Sequence, residues 1–191
     1  MRAGQIRVLG IASSARKQGN SAILLTEVLN HLRADFATEI VFLSNHRIEP
    51  CEGCHSCERR GSCRIDDDMR ELSAKLLAAD AVLLASPSYM GGVASRLRAF
   101  MERTWPLRKG QMSGKIGSYI VTGRRRIGMV SAAMAEYIAR LGMVAVPGLL
   151  GYAFEPGEIL RDDEAMGETR RLAEDVRRCL SPTDREGRAA P

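Results

Sequence analysis

The sequence predicts an α/β fold, a doubly wound sandwich with helices on both faces of a five-stranded parallel sheet. Three observations carry this prediction: short apolar runs recur along the chain, helical patterns lie between them, and the two alternate strictly. The order reads β-α-β-α-β-α-β-α-β-α, without an internal repeat or an interdomain linker. We therefore expect one domain over residues 1–180 and a flexible polar tail over 181–191.

Five apolar runs predict the strands. They are continuous rather than alternating, which is typical of strands buried on both faces of a parallel sheet. In chain order, the predicted strands are 6–11, 40–43, 81–85, 116–121 and 143–146.

Apolar side chains at spacings of three and four predict a helix after each strand. Such spacing places them on one helix face, where they pack against the sheet. In chain order, these stripes run through 25–32, 69–79, 93–101, 134–141 and 172–180.

Composition narrows the classes of function. The chain has 191 residues, 45% of them hydrophobic, which is enough for one full core. The 28 Lys and Arg against 23 Asp and Glu give a net charge of +5, without a long basic block. This favours an anionic cofactor such as a nucleotide over nucleic acid. No signal peptide and no apolar run long enough for a bilayer is present, so we expect a cytoplasmic protein without membrane contact.

The loop after the first predicted strand is polar and ends at a predicted helix N-terminus. Parallel α/β sheets bind ligands at the carboxyl ends of their strands, and helix N-termini bind anions. Ser14, Arg16, Asn20 and Ser21 could together hold a phosphate dianion. Neither a G-x-G-x-x-G fingerprint nor a Walker loop is present, so a single phosphate fits better. The alternative is a plain polar loop in which Asn20 or Ser21 caps the helix.

Three loops carry a resemblance to a known family. Residues 14–21, Ser-Ala-Arg-Lys-Gln-Gly-Asn-Ser, resemble the phosphate loop of NAD(P)H-dependent FMN reductases, with Ala15 in place of the usual proline. Residues 85–92 resemble the second flavin loop of that family, and 122–128 resemble the third. The resemblance runs from residue 6 to about residue 165. It implies a flavodoxin-like three-layer sandwich with strand order 2-1-3-4-5, an FMN cofactor, and NAD(P)H as co-substrate.

The second and third loops supply the remaining candidates for flavin contact. A flavin ring needs a flat apolar wall and donors near N1 and O2, where negative charge develops on reduction. The candidates are Pro87, Ser88, Tyr89, Met90, Gly91 and Gly92 in the second loop and, as the resemblance implies, Thr122, Gly123 and Gly128 in the third. An ordinary βα turn is the alternative for the second loop. The arginines at 124–126 are either solvated or attract a nicotinamide-nucleotide phosphate, and both readings stay open.

Four of the five cysteines lie within thirteen residues of a cysteine-rich loop, 48–66. Cys51, Cys54, Cys57 and Cys63 have the spacing C-x2-C-x2-C-x5-C. In a reducing compartment, disulfides are not expected. Four thiolates are the ligands of a 4Fe-4S cluster, and the tight C-x2-C-x2-C run is typical of one. Zinc and unliganded reduced thiols are the alternatives.

The cysteine-rich loop resembles that of the iron–sulfur flavoproteins, in which a compact motif binds a 4Fe-4S cluster beside FMN. This resemblance implies electron transfer between NAD(P)H or a reduced ferredoxin-like donor and an acceptor, in a homodimer or homotetramer. Flavin chemistry of this kind requires no catalytic acid or base from a side chain. Three alternatives remain: a cluster-free NAD(P)H:FMN or quinone reductase, a non-enzymatic FMN electron carrier, and a zinc-stabilised redox sensor.

Overall fold

A parallel β-sheet forms the middle layer of the structure. The computed structural model describes residues 5–181, so residues 1–4 and, except for Ser181, the predicted flexible tail 181–191 lie outside the described residues. The strands are β1 Arg7–Ala12, β2 Ala37–Phe42, β3 Ala81–Pro87, β4 Ile116–Gly123, β5 Val144–Ala145 and β6 Leu149–Tyr152. The order β2-β1-β3-β4-β5 confirms the predicted order, and β6 also pairs with β4.

Among residues 5–181, helices cover both faces of the sheet, apart from one short helix that buries no side chain. They are α1 Asn20–Leu32, α2 Ser56–Arg60, α3 Met69–Ala78, α4 Ser95–Arg103, α5 Gly128–Arg140 and α6 Asp163–Leu180. The buried side chains of α1 and α6 share one apolar core, and those of α3, α4 and α5 share a second core on the other face. This confirms the three-layer sandwich. Within residues 5–181, none of the helices combines the length and apolar character that a membrane span requires.

The sixth strand continues the fifth after a break. Ile116 of β4 pairs with Val144 of β5, and Ile120 pairs with Leu149 of β6, so the register shifts by one residue between them. Pro147 lies in the break and has no N–H to donate to the ladder. The predicted strand 143–146 is therefore shorter than expected, and the edge of the sheet resumes at Leu149.

Backbone hydrogen bonds hold the carboxyl ends of the strands together. The Ser13 amide and hydroxyl both donate to the Ala85 carbonyl, at 3.0 and 2.8 Å. The Ser88 amide donates to the Thr122 carbonyl at 2.7 Å, and the Ala153 amide donates to the Gly123 carbonyl at 3.2 Å. The loops after β1, β3, β4 and β6 consequently meet at one edge of the sheet.

Candidate functional site

A cavity of about 510 Å³ opens at this edge, between the four loops. The residues around it come from every one of these loops. They are Ser14, Arg16, Gly19, Asn20, Ser21, Pro87, Ser88, Tyr89, Met90, Gly91, Thr122, Gly123, Arg124, Arg125, Ala153, Phe154, Glu155 and Pro156. The structure thus brings the predicted flavin residues together around one cavity, except Gly92 and Gly128, which do not line it.

The first loop leads into the start of α1 through local hydrogen bonds. The hydroxyl of the buried Ser14 accepts a hydrogen bond from the Arg16 amide at 3.1 Å, and the Gly19 amide donates to the Arg16 carbonyl at 3.0 Å. Gly19 is the N-cap of α1 and makes no side-chain cap, and no acid lies in the first turn. The backbone N–H groups and partial positive charge of this helix end are therefore available to a phosphate.

Asn20 makes contacts that the sequence did not indicate. Its Nδ2 donates to the Glu155 carbonyl at 2.9 Å, and its Oδ1 accepts from the Gly157 amide at 2.9 Å. Asn20 therefore ties the first loop to the loop after β6 while it lines the cavity. Neither Asn20 nor Ser21 is the cap of α1, because Gly19 occupies that position.

The second loop forms a tight turn at the mouth of the cavity. Tyr89 and Gly92 exchange backbone hydrogen bonds at 3.0 and 2.9 Å. Met90 and Gly91 between them have φ values of 50° and 75°, the positive pair of a type I′ turn. Met90 carries a side chain at a position that favours Gly or Asn, and this side chain is fully exposed. The turn presents apolar side chains to the mouth of the cavity.

Close packing at Gly123 sets the shape of the third loop. A Cβ there would lie 2.7 Å from the Ile127 side chain and 3.0 Å from that of Ser88. Arg124 and Arg125 line the cavity, whereas Gly128 begins α5 outside it. Two cations therefore line the same cavity as the N-terminal end of α1.

The loop after β6 forms a fourth wall that sequence reasoning missed. Phe154 is 65% exposed and lines the cavity, with the Arg124 guanidinium 5.5 Å from its ring centroid. Glu158 fixes this loop, since its Oε2 accepts from the Phe154 and Glu155 amides at 2.6 and 2.8 Å. These two bonds lower the pKa of Glu158. The Pro156-Gly157 pair is typical of a turn. Because the sequence analysis did not predict β6, it did not place this turn at the end of a strand.

Three of the four clustered cysteines surround a second cavity of about 380 Å³. Cys51, Cys57 and Cys63 line it together with Arg103 and Trp105. Cys54 is not among the lining residues, and its sulfur lies 3.3 Å from the Ser56 hydroxyl. Within residues 5–181, no three His, Cys, Asp or Glu side chains form a group that could hold one metal ion.

The cysteine thiols differ in their readiness to ionise. Hydrogen bonds from the side chain and backbone of Ser56, and then from Arg64, lower the pKa of Cys54 to about 7. Burial raises the pKa of Cys57, and the neighbouring Glu58, Cys63 and Cys51 raise it further. A positive charge would therefore be needed to hold several of these thiols as thiolates together.

Helix α2, which sequence analysis did not predict, is anchored to the chain after α4. The Glu58 carboxylate accepts from Trp105 Nε1 at 2.7 Å and also pairs with Arg108 and Lys109. These bonds lower the pKa of Glu58 to about 2, and the hydrogen bond from Trp105 has the largest effect. Arg108 stacks over the Trp105 ring at 3.9 Å from the centroid. The segment that carries Cys57 is thereby held against the 3₁₀ helix Trp105–Arg108.

A buried ion pair lies beneath the cysteine-rich loop. The Arg103 and Asp67 side chains are 1% and 0% exposed and form a bidentate pair with N–O distances of 2.7 and 2.9 Å. Arg103 also donates to the Glu49 carbonyl at 2.7 Å. Its Nε is buried and has no hydrogen-bond partner among the described residues. Arg103 thus offers a cation and an unused N–H donor at the wall of the cysteine cavity.

Comparisons with known proteins show the family of the chain. A model of the NADPH-dependent FMN reductase family matches residues 6–154. An iron–sulfur flavoprotein of Methanocaldococcus jannaschii is 32% identical over 184 residues, covering 90% of this chain and 95% of that protein.

Two solved structures share the fold. An NAD(P)H:quinone oxidoreductase from Methanothermobacter marburgensis has a TM-score of 0.70 at 15% identity, covering 91% of this chain and 98% of that one. A flavodoxin from the domain Archaea has a TM-score of 0.60 at 15% identity, covering 92% of this chain and 100% of that one. The fold is flavodoxin-like, as predicted. With this fold, the matched family model and the cavity at the ends of its strands, the chain belongs to the NADPH-dependent FMN reductase family and is an FMN oxidoreductase.

Proposed function

We propose that this FMN oxidoreductase transfers electrons between NAD(P)H or a reduced ferredoxin-like donor and an acceptor through a 4Fe-4S cluster. Cys51, Cys54, Cys57 and Cys63 would hold the cluster. The observation that carries the proposal is the cavity where three of these thiols meet the buried cation of Arg103. The name of the Methanocaldococcus jannaschii relative supports it.

The residues of the first cavity fit FMN. Ser14, Arg16 and the first turn of α1 would hold the phosphate, because they combine a hydroxyl, a guanidinium and uncapped amides. The Tyr89–Gly92 turn and Phe154 would form the walls around the ring. Bound FMN supplies one- and two-electron redox chemistry. The protein's task is to bind and orient the ring and to exclude water from it.

Three of the four thiols proposed to hold the iron–sulfur cluster line the second cavity, and their chemistry suits such a cluster. Thiolates are the usual ligands of such a cluster, and hydrogen bonds to its sulfur atoms stabilise it. Arg103 provides positive charge and a buried N–H at the cavity wall. Cys54 lies nearby on a loop in which Gly53 and His55 have φ values of 64° and 52°. Its pKa of about 7 favours the thiolate that a metal requires.

Cluster content tests this proposal directly. Anaerobically purified protein should contain iron and acid-labile sulfide in the amounts of one 4Fe-4S cluster per chain. Cys57→Ser should lose both while it retains FMN, because Cys57 lies away from the flavin cavity. Cys179→Ser on α6 is the matched control and should keep both.

The alternatives give different results in the same measurement. Protein with FMN but without iron or sulfide would be a cluster-free NAD(P)H:FMN or quinone reductase. Zinc in place of iron would indicate the zinc-stabilised redox sensor. Either result refutes the cluster.

We also propose that Arg124 and Arg125 attract the phosphates of a nicotinamide nucleotide. Both line the flavin cavity, whereas the neighbouring Arg126 does not. Arg125→Gln should raise the KM for NADPH several-fold with little change in kcat, and Arg126→Gln should leave KM unchanged. Equal effects of the two variants would point to a general charge effect instead. Activity only with a reduced ferredoxin-like protein would rule out this donor.

Assembly into a homodimer or homotetramer is a further part of the proposal. Tyr89, Met90 and Phe154 are exposed around one cavity, and a second copy of the chain would remove this apolar surface from water. Sedimentation equilibrium should give a dimer or tetramer, and Met90→Glu should weaken it. A monomer at all accessible concentrations would contradict this assembly.

A further inference from the structure

Arg103, the last residue of α4, connects the helix layer to the cysteine-rich loop. We propose that Arg103 is a positioning residue that raises the reduction potential of the cysteine-held cluster by donating its unused Nε–H to sulfur. This inference rests on the cluster proposed above.

The guanidinium of Arg103 is held in one orientation. Its two terminal nitrogens donate to both oxygens of Asp67, and one of them also donates to the Glu49 carbonyl. Asp67 is held in turn by the Glu49 and Met69 amides at 2.9 and 3.1 Å. A planar guanidinium fixed on this side has little freedom to turn its Nε.

The remaining donor, Nε, belongs to a side chain that lines the cysteine cavity and has no hydrogen-bond partner among the described residues. Buried N–H groups are almost always paired, and Arg103 Nε is the one buried side-chain nitrogen or oxygen in residues 5–181 without a partner. An unpaired donor at a cavity wall indicates that a bound group supplies the hydrogen-bond acceptor. The same cavity is lined by Cys51, Cys57 and Cys63. A thiolate or sulfide sulfur is the acceptor that such a site would supply.

Electrostatics agree with this placement. Burial acts to lower the pKa of Arg103, but the hydrogen bonds and charge of Asp67, and then of Cys63, raise it. Cys63 is therefore close enough to Arg103 to favour its charged form. Hydrogen bonds to cluster sulfur and nearby positive charge stabilise the reduced cluster and raise its potential.

Asp67 opposes this effect because its carboxylate adds negative charge beside Arg103. The two residues should therefore have opposite effects when they are changed. Arg103→Lys keeps a positive charge but removes the Nε–H, so the potential should fall. Asp67→Asn keeps the size of the side chain but removes its charge, so the potential should rise. If the substitutions only loosened the loop, they would not be expected to shift the reduction potential in opposite directions.

The test is a redox titration of the anaerobic holoprotein, followed by electron paramagnetic resonance of the cluster and by flavin absorbance. Relative to the unchanged chain, Arg103→Lys should shift the cluster midpoint downwards and Asp67→Asn should shift it upwards. The flavin midpoint should stay constant in both. Arg177→Lys is the matched control, because Arg177 likewise donates to a carboxylate, Asp35, and to a backbone carbonyl, that of His31.

The outcomes separate this inference from the proposed function. Absence of iron and sulfide from the unchanged chain would refute the cluster and the inference with it. A cluster whose midpoint is unaffected by either variant, or shifts the same way in both, would overturn the inference alone. If Arg103→Lys loses iron, the midpoint potential of the cluster in Asp67→Asn tests the inference. A rise in that potential supports the inference, and any other result contradicts it. Loss of the cluster from both variants with FMN retained would mean that the pair only anchors the loop, which also overturns it.

Discussion

Gly19 determines how closely the first loop can fold around Ser14. A Cβ at Gly19 would lie 2.6 Å from Ser14 Oγ and 3.1 Å from the Arg16 carbonyl. The backbone angles of Gly19, φ −74° and ψ 155°, suit any residue, so the contact alone excludes a side chain. The same residue is the N-cap of α1. Its small size therefore determines both the path of the loop and the start of the helix.

Replacing this glycine tests the phosphate end of the flavin site. Gly19→Ala should weaken FMN binding about tenfold, or about 1.4 kcal/mol, because the loop must move to relieve the contact. Fluorescence titration of the deflavinated protein measures the dissociation constant. Gly167→Ala in α6 is the control, since a Cβ there meets nothing within 4 Å, and it should bind FMN normally. Unchanged affinity in Gly19→Ala would contradict a phosphate site in this loop.

At the scale of elements, the Glu158 carboxylate holds the start of the loop after β6, in addition to the contacts that Asn20 makes with this loop. The Phe154 and Glu155 amides bind Glu158, and their hydrogen bonds lower its pKa. A carboxyl group whose pKa is lowered by folding contributes fully above its ordinary pKa, and its contribution is lost as the pH falls through the lowered value. The shape of the fourth wall should follow this ionisation.

The Glu158 carboxylate should therefore give FMN affinity a specific pH dependence. Glu158→Gln should bind FMN a few-fold more weakly than the unchanged chain at neutral pH. The ratio of the two affinities should fall towards one as the pH drops through the lowered pKa, because both side chains are then neutral. FMN titrations over a range of pH measure this ratio. Glu164→Gln, an exposed acid on α6, is the control. A ratio that is constant at every pH would rule out this role.

The break between β5 and β6 depends on contact between Gly148 and an aromatic ring. A Cβ at Gly148 would lie 2.3 Å from the Tyr119 ring. Gly148→Ala should lower the free energy of unfolding by about 1–3 kcal/mol, as overpacking does in cores. Urea unfolding measures the loss. Tyr119→Leu in the same chain should recover part of it, as a double-mutant cycle would show. Additive losses would mean that the ring is not the obstacle.

At the scale of the whole molecule, α4 links the two cavities. The Tyr89–Gly92 turn at the cavity proposed for FMN precedes this helix, and Arg103 at its end lines the cysteine cavity. Nine residues of helix extend about 14 Å. Among residues 5–181, none lines both cavities, so the two cavities are separate and α4 connects them.

Much of this arrangement was predictable from local patterns. Continuous apolar runs indicated β1, β3 and β4, and the Ser, Pro and Gly residues after them indicated three of the four walls. β6 was missed because Pro147 and Gly148 interrupt the apolar run that would have continued the fifth strand. Because β6 was not predicted, nothing in the sequence placed Phe154 at the end of a strand beside the cavity.

The contacts that shape the cysteine site were less accessible to sequence reasoning. Helix α2 has five residues and no buried side chain, so it leaves no amphipathic pattern. The Arg103–Asp67 pair joins residues that are 36 positions apart in the sequence. An arginine at the end of a helix is ordinarily expected to be exposed to solvent. Only the tertiary structure shows that this arginine is buried beneath the cysteines.

The central claim is that the cavity at the carboxyl edge of the sheet binds FMN that a nicotinamide donor can reduce. Anaerobic titration of deflavinated protein with FMN, followed by addition of NADPH, tests it most directly. We predict one FMN bound per chain, with flavin absorbance that bleaches when NADPH is added. The claim would be contradicted if the protein binds no FMN. It would also be contradicted if the bound flavin stays oxidised after NADPH is added.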